Sequence, residues 1–179
     1  NIFVMRSRTT TWFETKIRYT KTHEDGRQKP VTEQYVVDAL SFSEAEAAIF
    51  EEMKDCINSD YKITDIRPAA FHEIFFSDLD KDDRWYKAKL QFVTIDEKTE
   101  KEKRTNIIYL VQSATLNGAV KNIDEIMGGT TINYTLVSIN ETSIMDVFEH
   151  DLKSKDRGLH SENSVPEYMS NGSMSKEVE

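Results

Sequence analysis

The sequence repeats itself at an offset of 73 to 74 residues, and that duplication restricts the possible folds more than any other feature. Trp12-Phe13-Glu14-Thr15-Lys16-Ile17-Arg18-Tyr19 lies over Trp85-Tyr86-Lys87-Ala88-Lys89-Leu90-Gln91-Phe92, and Tyr35-Val36-Val37 over Tyr109-Leu110-Val111. Ala45, Ile49, Glu51 and Met53 match Ala119, Ile123, Glu125 and Met127. Tyr61-Lys62-Ile63 matches Tyr134-Thr135-Leu136, and Phe71, Glu73, Ile74 and Phe75 match Ile144, Asp146, Val147 and Phe148. The order is kept throughout with one single-residue gap, which chance does not explain.

Periodicity turns the repeat into structure. Phe13, Thr15, Ile17 and Tyr19 alternate with Trp12, Glu14, Lys16 and Arg18, the period of a half-buried strand. The second copy alternates in the same register. Polar turn sequences, Glu24-Asp25-Gly26-Arg27 and Asp96-Glu97-Lys98, make each copy open with a long hairpin. Ser41-Phe42-Ser43-Glu44 has the spacing of a capping box, and Ala45, Ala48, Ile49, Met53 and Cys56 follow at helical intervals. The matching helix starts at Thr115, is expected to bury Leu116, Ala119, Val120, Ile123 and Met127, and stops at Gly128-Gly129. Strands at Tyr61–Arg67 and Tyr134–Asn140 come next, then shorter ones at Phe71–Phe76 and Ile144–Phe148.

The expected fold class is therefore α+β, a tandem duplication of a ββαβ(β) unit. Antiparallel sheet carries one helix per copy on one face. The first copy covers residues 9–78 and the second 84–150. One copy is too small to bury much core alone, so the two are expected to pack about a pseudo-two-fold axis. Whether they share one continuous sheet or pack as two is left open. Residues 151–179 are polar, show no sustained periodicity and read as a disordered acidic tail. Met5 is expected to be the natural start.

The net charge of −9 argues against strong, sequence-independent binding to a phosphate backbone, though not against a local basic face. No apolar run is long enough to span a bilayer, and no secretory leader is expected before the first strand. With a single cysteine, Cys56, no internal disulfide can form, so the expected setting is the cytoplasm. Cys56 falls on the apolar line of its helix and is expected to be buried.

Catalytic chemistry finds little support. His23, His72, His150 and His160 lack ligand-like spacing. Asp78-Leu79-Asp80-Lys81-Asp82 begins like a calcium loop, then fails at Asp83 and Lys89, where a glycine and a bidentate glutamate are needed. Glu73 and Asp146 occupy matching positions and could form a paired-carboxylate site, or simply face solvent. No cofactor or metal and no enzyme activity is expected.

The remaining constellation is the outward side of the two first strands. Trp12, Lys16 and Arg18 share one side in the first copy, and Trp85, Lys87 and Lys89 in the second. Were helices to cover only the opposite face, these rings and cations would meet water. Bases stacking on indoles with cations tracking phosphates is how many proteins hold single-stranded nucleic acid. The same tryptophans could instead anchor a protein partner or a homo-oligomer. The expected function is thus a small non-catalytic macromolecule-binding protein: a nucleic-acid-processing accessory or, alternatively, a protein–protein adaptor or assembly protein.

Thr11-Trp12-Phe13-Glu14, the stretch Tyr35–Phe42, Phe75-Phe76-Ser77 before an acidic run and Arg84-Trp85, and Ile144–Phe148 carry a family likeness. From Thr11 to Phe148 the chain resembles an uncharacterised family found in Bacteroidota and their phages, the domain of unknown function 4494. The resemblance implies a bacterial or phage intracellular setting and transfers no site residue. Asn1–Arg8 and the tail depart from the family pattern.

Overall fold

The computed structural model describes residues 6–8 and 10–149. Met5 and the tail expected to be disordered lie outside the described residues. Eleven elements follow in chain order: β1 (Arg6–Arg8), β2 (Trp12–Thr22), β3 (Gln28–Asp38), α1 (Phe42–Met53), β4 (Tyr61–Pro68), β5 (Glu73–Phe76), β6 (Arg84–Ile95), β7 (Glu102–Ser113), α2 (Leu116–Met127), β8 (Asn133–Glu141) and β9 (Ile144–Phe148). The α+β duplication holds, with one helix per copy.

Two sheets are formed. One has the order β4-β2-β3-β9 and the other β1-β5-β7-β6-β8. The copies are interlocked, because each lends its last strand to the other's sheet. β9 runs parallel to β3, pairing Tyr35 with Asp146, Val36 with Val147 and Val37 with Phe148. β5 runs parallel to β7, pairing Tyr109 with Glu73, Leu110 with Ile74 and Val111 with Phe75. These pairs are equivalent under the repeat, so the exchange follows a pseudo-two-fold axis. β1 breaks the symmetry. It adds antiparallel to β5, setting Arg8 against Ile74 and Arg6 against Phe76.

Apolar side chains form three layers of core. Trp12, Val36, Ile144 and Val147 from one sheet meet Ile74, Phe76, Trp85 and Leu110 from the other. Phe13, Ile17, Tyr35 and Val37 pack under Ala45, Ile49 and Met53 of α1. Ala88, Leu90 and Val111 pack under Ile123 and Met127 of α2. The order is helix, sheet, sheet, helix, and the sheets lie face to face. Both faces of β2 and β6 are thus apolar near their starts, which alternation alone does not reveal.

Local chemistry explains the element ends. Ser41 caps α1 by accepting from the Glu44 amide at 3.2 Å, while the Glu44 carboxylate accepts from the Leu40 amide at 2.7 Å. Thr115 caps α2 through the Gly118 amide at 3.0 Å. Gly26 turns the first hairpin with φ +78°, a conformation that favours glycine. Inside the first hairpin, the fully buried Thr15 hydroxyl donates to the Tyr35 carbonyl at 3.0 Å.

Two burial expectations are corrected. Cys56 is exposed, because α1 ends at Met53 and the following turn carries Cys56 outward. Ile57, one helical turn beyond Met53, fills the core position instead. Leu116, the first residue of α2, is 47% exposed, and Phe42, the first of α1, is 56% exposed although its ring meets Phe13 edge-on at 5.2 Å.

Candidate functional site

The structure overturns the outward placement of the tryptophans. Trp12 and Trp85 are each 2% exposed, and both lie in the core between the sheets. Phe76 joins them, with ring centroids 6.3 Å from Trp12 and 5.5 Å, edge-on, from Trp85. The side of each strand turned away from its helix is covered by the second sheet, so neither indole has a face on which a base could stack. The cations lie nearer the surface. Arg18 is exposed, and Lys16, Lys87 and Lys89 are half-buried. Lys16 and Arg18 belong to the four-stranded sheet and Lys87 and Lys89 to the five-stranded one. Lys87 roofs the inter-sheet core with its ammonium 5.1 Å from the Phe71 ring centroid, a cation–π contact.

Other sequence candidates acquire structural roles. Asp82, buried, accepts from the Ser77 hydroxyl and from the Ala114 amide at 2.9 Å, tying the loop between the copies to the start of α2. His72 accepts the Ile108 amide on Nδ1 at 3.0 Å and donates its own amide to the Ile108 carbonyl, extending the β5–β7 ladder by a side chain. Glu73 and Asp146 are not paired, since strand exchange puts them in different sheets, each beside a tyrosine. Among the described residues, no cluster of three His, Cys, Asp or Glu is arranged for a metal.

Three features were not visible from sequence. The first is a tyrosine–carboxylate cluster beneath α1. The Tyr19 hydroxyl donates to Glu33, and burial, then Glu33, push its pKa up to about 12. Burial and the same carboxylate raise Tyr35, which stacks on Phe148 at 5.5 Å. Both phenols stay neutral, so neither is an activated nucleophile.

The second is an acidic groove of about 340 Å³ between the 77–83 loop and β9. Asp78, Asp80, Asp83 and Asp146 line it with Met145. Burial, with Glu52 nearby, raises the pKa of Asp146, although its carboxylate accepts from the Val147 amide at 2.8 Å. The third is a groove of about 540 Å³ between α1 and β4. Phe50, 42% exposed, and Tyr61, 38% exposed, meet there with centroids 5.9 Å apart, flanked by Ala47, Ile63, Glu46 and Lys62. The apolar period of α1 marks its buried side, but only the fold sets Phe50 against the β4 edge.

Among the described residues no helix is long and apolar enough to cross a membrane. A family model described as a domain of unknown function, DUF4494, matches residues 11–150. No curated protein and no solved structure matches the chain.

Proposed function

This chain belongs to the DUF4494 family, and since membership assigns no activity, we propose from the geometry that it is a non-catalytic protein-binding adaptor or assembly module of a bacterial or phage-infected cytosol. The observation that carries this reading is the Phe50–Tyr61 groove. Two aromatic rings stand partly in water at β4, the edge of its sheet among the described residues, with an apolar centre and a charged rim of Glu46 and Lys62. That is the composition of a protein interface, where aromatic anchors sit inside a polar border. The groove is wide enough to take one or two apolar side chains of a partner. The nucleic-acid reading keeps its cations but loses both stacking rings to the core.

A photo-crosslinking amino acid placed at Ala47 tests this in the native cell. A discrete crosslinked protein, lost in a Phe50→Ser, Tyr61→Ser variant, is the expected result. No crosslinked protein, or one indifferent to those substitutions, refutes it. Salt-sensitive binding of a single-stranded oligonucleotide by the purified chain would favour the nucleic-acid reading instead.

A further inference from the structure

The pseudo-two-fold axis leaves one position unmatched. In the five-stranded sheet the exchanged strand β5 is an inner strand, because β1 adds to its outer side. In the four-stranded sheet the equivalent strand β9 is the edge, and among the described residues nothing pairs with its outer side. Val147 and Phe148 are the repeat equivalents of Ile74 and Phe75, which receive Arg8 and Ser7 of β1. The backbone that accepts a strand in one copy is therefore present in the other, where no described residue pairs with it. Met145 and Asp146 on it are exposed.

We propose that β9 is a strand-addition site for a cationic extended segment of a partner protein, which pairs antiparallel with Asp146–Phe148 and places basic side chains in the acidic groove beside it. The main-chain half of the argument is the occupied equivalent edge at β5. The sign of the partner's charge follows from what surrounds β9. Asp80 and Asp83 of the 77–83 loop line the groove together with Asp146 of β9. A second copy adding through its own β9 would bring two Asp146 carboxylates together, which is destabilising. A strand edge beside an acidic groove takes main-chain hydrogen bonds for affinity and opposite charge for selection. The site lies apart from the Phe50–Tyr61 groove, so this proposal stands or falls independently of the function proposed there.

Fluorescence anisotropy with the full chain and three labelled hexapeptides tests it. The probes are Lys-Val-Lys-Val-Lys-Val, its glutamate counterpart, and a Lys-Val-Lys-Pro-Lys-Val analogue that keeps the charge but loses a main-chain donor. The alternating lysine peptide is expected to bind, the glutamate peptide not to bind, and the proline analogue to bind about tenfold more weakly, or ~1.4 kcal/mol. Asp146→Lys should weaken the lysine peptide at least about tenfold. Asp80→Lys in the exposed loop supplies a second variant should the first misfold by circular dichroism. Equal binding of the lysine and proline peptides would show charge attraction without strand pairing and overturn the proposal. So would no binding of the lysine peptide, binding unchanged in both variants, or a dimer in sedimentation that Asp146→Lys dissolves.

Discussion

Replacing Trp85 by alanine is expected to remove about 4 kcal/mol of folding stability. The indole is 2% exposed and packs edge-on against Phe76 at 5.5 Å in the core between the sheets. A tryptophan buries ~150–250 Å², which at ~25 cal/mol per Å² is about 4–6 kcal/mol. The retained Cβ lowers the loss, and measured truncations of buried aromatics cluster at ~3–5 kcal/mol. For a domain whose total stability is ~5–15 kcal/mol, that is about a quarter or more of the whole. Urea unfolding followed by far-ultraviolet circular dichroism measures it as a lower midpoint with unchanged slope. Trp12→Ala should cost a similar amount. The double variant should cost less than the sum, because both indoles touch Phe76. Iodide should barely quench wild-type tryptophan fluorescence. A loss below about 1 kcal/mol, or efficient quenching of both indoles, would refute the inter-sheet placement and restore the tryptophans to the surface.

Ser41→Ala removes the side-chain acceptor that caps α1 and should cost about 1 kcal/mol in the same urea assay. Gly26→Ala meets no atom within 4 Å, so its cost, ~1–2 kcal/mol, comes from the backbone at φ +78° alone, and Gly26→Asn should cost less. Tyr19 titrates near 12 when folded and near 10 when unfolded, so the unfolded chain loses this proton first; stability is expected to fall between about pH 10 and 12, and Glu33→Gln should move the fall of the Tyr19 component toward 10 in a spectrophotometric titration. Asp146 is raised above its ordinary value, so its contribution is fully present below the unfolded carboxyl pKa and is lost as pH rises through the folded one. Asp146→Asn should therefore gain stability relative to wild type at pH 7, with the gain vanishing in acid; a pH-independent difference between the two would contradict the raised pKa of that carboxyl.

Much was decided by the sequence alone. The repeat gave two equivalent copies, the alternation of Phe13, Thr15, Ile17 and Tyr19 gave their side of β2, and Ser41 and Thr115 gave both helix starts. These depend on interactions within a few residues, which spacing records directly. Tertiary structure decided the rest. Period two states that Trp12, Lys16 and Arg18 share a side; it does not state what covers that side, and the other sheet covers it at Trp12 while leaving Arg18 exposed. The exchange of β5 and β9 is likewise invisible in either copy, since a short apolar strand can pair equally well in its own sheet or its neighbour's. That exchange separates Glu73 from Asp146, seals both indoles inside, and leaves β9 an edge where β5 has a partner. Contacts between residues far apart in the chain set those outcomes, and local patterning carries no record of them.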